Sequence, residues 1–79
     1  MNIELLELDL HEVRKKIKSL VADQQNLLDR ANELRHLRGQ MRESIRARAQ
    51  AEALSRVIGE LREQEQQIER AIERGRAMA

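Results

Sequence analysis

Two runs of apolar residues, spaced alternately three and four apart, fill most of this 79-residue chain and do not share a phase. The first passes through Leu10, Val13, Ile17, Leu20, Gln24, Leu27, Ala31, Leu34, Arg38 and Met41, eight of the ten being apolar. The second passes through Ala47, Ala51, Leu54, Ile58, Leu61, Glu65, Ile68 and Ile72, seven of the eight being apolar. Such spacing, sustained this long, marks the seam of a helix that faces another helix. Carrying the first phase onward would place Arg48 and Glu52 in the second seam, so the two runs are offset by one residue. The offset falls between Arg38 and Ala47, and Gly39, the only glycine in the first half, stands inside that interval.

A helix can absorb such an offset as a local discontinuity, or the chain can turn back on itself. A single helix of about 65 residues would be on the order of 100 Å long, far beyond the usual length. The two arms flanking Gly39 are nearly equal, which suits an antiparallel hairpin. The expected fold is therefore all-α, a two-helix hairpin in one domain spanning 1–79. Helix one covers about 10–36, the turn about 37–41 and helix two about 42–74. A straight coiled-coil rod is the alternative, acting as an adaptor, scaffold or secretion chaperone in a larger assembly.

The ends of the arms carry their own signals. Asp9 and Glu12 have the spacing of a capping box, and Leu8 and Val13 that of a hydrophobic staple, which together start a helix at Leu10. Met1 to Leu8 is too apolar for a disordered tail and is expected to pack on something. Gly75 closes the second arm as a C-terminal cap, leaving Arg76 to Ala79 as a frayed tail. Ala47, Ala49, Ala51 and Ala53 would let two helices approach closely near the turn. Gly59, beside Ile58, is either a point of close backbone contact or a tolerated defect. Gln24, polar at a seam position, either fixes register or snorkels at the edge of the bundle.

Composition turns this fold into a functional expectation. The chain has no Phe, Tyr, Trp, Pro or Cys. Its core must come from Leu, Ile, Val, Met and Ala, and so short a chain with so light a core is marginal without a partner. Pairing with another hairpin, as a homo-oligomer or a heterodimer, would complete a four-helix bundle. The residues expected at the partner interface are Leu10, Val13, Ile17, Leu20, Leu27, Leu34, Leu54, Ile58, Leu61, Ile68 and Ile72.

Nothing in the pattern supplies chemistry. His11 and His36 stand 25 residues apart with no ligand-spaced Cys, Asp or Glu around them, so no metal site is expected. There is no glycine-rich phosphate loop, and a two-helix chain offers no evident pocket in which titratable groups could be held. The expected protein is not an enzyme, with no catalytic residue, no cofactor and no small-molecule substrate. No apolar run approaches the roughly 20 residues that cross a bilayer, and no basic-apolar leader opens the chain. The expected location is cytoplasmic, or secreted without a cleavable signal peptide.

Charge is unevenly spread. Residues 1–29 carry six acids and four bases, 30–48 two acids and six arginines, and 49–79 six acids and five bases. Arg35, Arg38, Arg42 and Arg46 thus form the centre of a basic belt at the turn, a candidate electrostatic contact. Nucleic acid is disfavoured as its target, because the net charge is only +1 and no aromatic residue is present to stack on bases. A solvated tip, or ion-pair donors to an acidic partner, is the favoured reading.

The stretch Leu37-Arg38-Gly39-Gln40-Met41-Arg42-Glu43-Ser44-Ile45-Arg46 resembles the central motif of WXG-type (ESAT-like) proteins of type VII secretion. In that family a Trp-x-Gly turn joins two helices, and an apolar or aromatic residue follows about six positions on, where this chain has Ile45. The resemblance implies a leaderless helical hairpin that works as a homo- or heterodimer, with Leu37 and Gly39 as its turn residues. Leu37 stands where the family has tryptophan, and no tyrosine-containing export signal follows the second helix. Those departures imply a partner subunit that relies on another protein for export.

Overall fold

A computed structural model describes residues 2–78. Two helices, α1 (Ile3–Arg35) and α2 (Met41–Ala77), lie antiparallel and are joined by the short turn 36–40. The molecule measures 63 × 15 × 12 Å. The hairpin expectation holds, and the chain does not continue as one rod.

The turn is made by Gly39. Helix α1 tightens at its end, with His36 N–H donating to Glu33 O at 3.3 Å and Leu37 N–H to Leu34 O at 3.1 Å. Gln40 N–H then donates to Leu37 O at 3.3 Å, closing a four-residue turn with Gly39 third. There φ is +80°, the value a type II turn requires and one that costs L side chains strain. Past the turn, α2 starts in its own phase. Ser44 and Ala47 are buried, whereas Met41 and Ile45, which continue the first phase, are 56% and 63% exposed. The five residues between the helices therefore absorb the one-residue offset.

Both outer ends differ from expectation. Helix α1 begins at Ile3, seven residues before Leu10, because Asn2 caps it: its side-chain Oδ1 accepts from Glu4 N at 3.0 Å and Leu5 N at 3.3 Å. Asp9 and Glu12 are mid-helix and exposed, so neither the capping box nor the staple forms. Ile3 and Leu6, seven and four residues before Leu10, extend the same heptad. Leu5 and Leu8 face outward, leaving Leu6 and Ile3 as the packed residues of this segment; Met1 lies outside the described residues. Helix α2 runs through Gly75 to Ala77, so Gly75 is not a cap. The tail expected to fray is helical at Arg76 and Ala77, and Ala79 lies outside the described residues. A propagating helix with a partner alongside passes over a single glycine, which costs only about 1 kcal/mol.

The helices meet through a light core. Its buried apolar members are Leu10, Ala31, Ala47, Ala51, Ile58 and Ile72, and among the described residues no large side chain is wholly removed from solvent. Near the turn Ala31, Ala47 and Ala51 bring the backbones close, whereas Ala49 and Ala53, expected to share that role, are exposed. Ser44, also buried, uses that proximity: its hydroxyl donates to Ala31 O on the opposite helix at 2.7 Å.

Candidate partner-binding face

Heptad positions separate the hairpin into two sides. On α1, Ile3, Leu10, Ile17, Gln24 and Ala31 occupy position a, and Leu6, Val13, Leu20, Leu27 and Leu34 occupy d. On α2, Ser44, Ala51, Ile58, Glu65 and Ile72 occupy a, and Ala47, Leu54, Leu61 and Ile68 occupy d. In an antiparallel pair, position e borders the a rows on one side and position g borders the d rows on the other.

The a side is closed. Six of its ten residues are buried: Leu10, Ala31, Ser44, Ala51, Ile58 and Ile72. Polar cross-links seal its rim. Arg14 donates through Nε to Glu65 at 3.0 Å and through Nη2 to Glu69 at 2.8 Å, and Arg76 donates to Glu7 at 2.7 Å. These bonds, to Glu65 first and Glu69 second, raise the pKa of the Arg14 guanidinium above its ordinary value. A raised guanidinium pKa adds stability that is lost as pH climbs through it, so on the alkaline side Arg14 stays charged until strongly alkaline conditions. Gln24 Nε2 donates to Ala51 O at 2.9 Å and to the Ser55 hydroxyl. Of the two expected roles for Gln24, the register-fixing one is the one its bonds support: its amide is tied to the opposite backbone.

The d side is open. Leu6, Val13, Leu20, Leu27 and Leu34 on α1 and Leu54, Leu61 and Ile68 on α2 are all half-buried; of the d residues only Ala47 is buried. Leu27 and Leu54 line a shallow groove together with Asp23 and Arg30, and Leu27, Arg30, Ala47 and Gln50 carry it toward the turn. Among the described residues no ion pair crosses between the helices on this side.

The residues expected at a partner interface therefore divide. Leu10, Ile58 and Ile72 are spent inside the hairpin, and Ile17 is half-buried in the closed row. Val13, Leu20, Leu27, Leu34, Leu54, Leu61 and Ile68 remain available on one continuous face. Leu37 and Gly39 lie in the turn, with Leu37 57% exposed. Arg35, Arg38, Arg42 and Arg46 come together around the turn, all exposed, and Arg46 pairs with Glu43 one helical turn away at 3.4 Å. Arg38 and Met41, expected to prolong the first seam, are exposed and outside it, because the chain turns before they can join.

Sequence reasoning missed Ile3, Leu6, Ser44 and the Arg14 cross-links. Ile3 and Leu6 were legible as heptad positions upstream of Leu10. Ser44 sits one a position before Ala51 in the second heptad, but its value lies in reaching the Ala31 carbonyl, which depends on how close the helices come. Among the described residues no three His, Asp or Glu side chains cluster as metal ligands, and no helix is long and apolar enough to cross a membrane. Comparison of the chain with family models, curated proteins and solved structures returned no match.

Proposed function

We propose that this protein is a non-enzymatic interaction module, a helical hairpin that uses its d face to associate with itself or with a similar hairpin and so complete a four-helix bundle. The observation that carries this reading is the asymmetry of the seam: six of the ten a residues are buried and the a side is cross-linked, while every d residue but Ala47 is only partly buried. Side chains of this size contribute about 1.5–3 kcal/mol each on going from exposed to fully buried, and covering the open row gains the remaining fraction of that from each of its eight partly buried residues.

Surface area supports the same reading. The chain exposes 6484 Å², against roughly 4,900 Å² for a compact monomer of its 9.2 kDa mass by the usual scaling. The excess, on the order of 1,500 Å² for one chain, is nearly twice the roughly 800 Å² that a standard protein interface removes from each partner. Light scattering from purified protein across a concentration series tests the proposal. Mass is expected to exceed that of one chain at micromolar concentrations, and a stable, fully helical monomer at millimolar concentration would refute self-association.

Within this reading we place the chain as a WXG-like partner subunit of type VII secretion. A left-handed Gly39 that joins two helices of similar length supports this placement, as does Ile45 at the motif's following apolar position. Such a subunit would leave the cell only with a partner that bears the export signal, so secretion by the native host should cease when that partner is deleted. Export that continues undiminished would remove this placement and leave the interaction module standing.

A further inference from the structure

We infer that the partner on the open face is a second copy of this chain, related by a two-fold axis at Leu20, with α1 running antiparallel to α1 of the copy. This rests on the association proposed above and adds the occupant, the orientation and the register. The g positions that border the d row of α1 are Asp9, Lys16, Asp23 and Arg30, all exposed and alternating in sign at seven-residue intervals. Asp23 and Arg30 line the same groove as Leu27 and Leu54, so these charges and the open leucines share one face.

In an antiparallel pair g faces g, and a reversed copy of this series is its own complement. Asp9 meets Arg30 of the partner subunit, and Lys16 meets Asp23 of the partner subunit; each contact occurs twice. The apolar row is centred within half a residue of the charge series, because Leu6, Val13, Leu20, Leu27 and Leu34 are symmetric about Leu20. On α2, Leu54, Leu61 and Ile68 are symmetric about Leu61. Gln24 bonds to Ala51 and Ser55 while Arg14 bonds to Glu65 and Glu69, which sets Leu20 opposite the Ile58–Leu61 turn of α2. One axis therefore passes within a helical turn of both centres.

The rim of α2 fits without repulsion. Its g positions along the open row are Gln50, Val57, Gln64 and Ala71, none of them charged. Val57, 42% exposed in a single hairpin, would be covered by the copy. The competing two-fold arrangement sets α1 against α2 of the copy. It would place Lys16, Asp23 and Arg30 opposite these neutral side chains and leave every charge unpaired.

The chain has no cysteine, so each introduced thiol reports on a single position. Under mild oxidation Leu20→Cys is expected to give a covalent dimer, because position 20 meets itself on the axis. Leu34→Cys should not link to itself: its counterpart lies 28 residues along the antiparallel pair, about 42 Å away, against a disulfide reach of roughly 7 Å between Cα atoms. A mixture of Leu6→Cys and Leu34→Cys chains should cross-link. As an independent measurement, the basic double variant Asp9→Lys/Asp23→Lys and the acidic one Lys16→Glu/Arg30→Glu should each self-associate at least tenfold more weakly than the native chain. Mixed one to one, they should pair again. A native chain that stays monomeric would overturn this inference together with self-association, leaving only a similar hairpin as the occupant of the open face. A dimer in which Leu34→Cys links to itself and Leu20→Cys does not, or in which both charge variants dimerise normally, would overturn the arrangement alone.

Discussion

Gly39 and Gly59 are chemically the same residue in opposite situations. A methyl group would meet no atom within 4 Å at either position. The difference is backbone: Gly39 holds φ at +80°, and Gly59 is helical. Gly39→Ala is thus expected to lower stability by about 1–2 kcal/mol, the cost of a left-handed L residue. Gly59→Ala should raise it by up to about 1 kcal/mol, and urea unfolding of the two variants measures both. The absence of any contact also decides Gly59 as a tolerated defect rather than a point of close approach. Ser44→Ala removes the buried hydroxyl that bonds to Ala31 O, with an expected loss of about 1 kcal/mol. The glycine at the turn was readable from the chain, because only one residue near the phase break favours positive φ. The Ser44 bond was not, since serine at a seam position does not say which carbonyl it will meet.

At the scale of the helix, position along the heptad decides what a substitution does. Ile58 is buried in the closed row, so Ile58→Ala should cost about 2–4 kcal/mol of hairpin stability, seen as a lower denaturation midpoint. Leu61, one heptad step away, is half-buried in the open row. Leu61→Ser should leave the helical circular dichroism of the hairpin largely intact and weaken association instead. Losing helicity as completely as Ile58→Ala would show that the two rows are not functionally distinct. The exposed Arg14 cross-links are screened by solvent, and Arg14→Ala should shift the midpoint less than Ile58→Ala does. Element boundaries were the least legible feature. Asp9 and Glu12 imitate a helix start, yet Asn2 caps earlier and lets Ile3 and Leu6 join the seam. The physical reason is cooperativity: a heptad already paired with an opposite helix extends until a cap stops it, and a mid-helix Asp does not stop it.

For the whole molecule, the hairpin followed from the phase offset and the near-equal arms, whereas the division into closed and open sides did not. A seam read from sequence treats a and d alike. Only packing shows that alanines at 31 and 51 and the Gln24 and Arg14 links draw the helices together on the a side, leaving the d leucines partly exposed. A bundle assembled on that open side links folding to concentration, so its melting temperature should rise with protein concentration. Sedimentation equilibrium on the native chain beside Leu20→Ser is the most direct measurement of whether the open row drives association. Expected are a native mass approaching twice 9.2 kDa and a helical variant that remains at 9.2 kDa over the same range. Equal masses for the two chains, whether both single or both paired, would contradict the assignment of the d face as the binding surface.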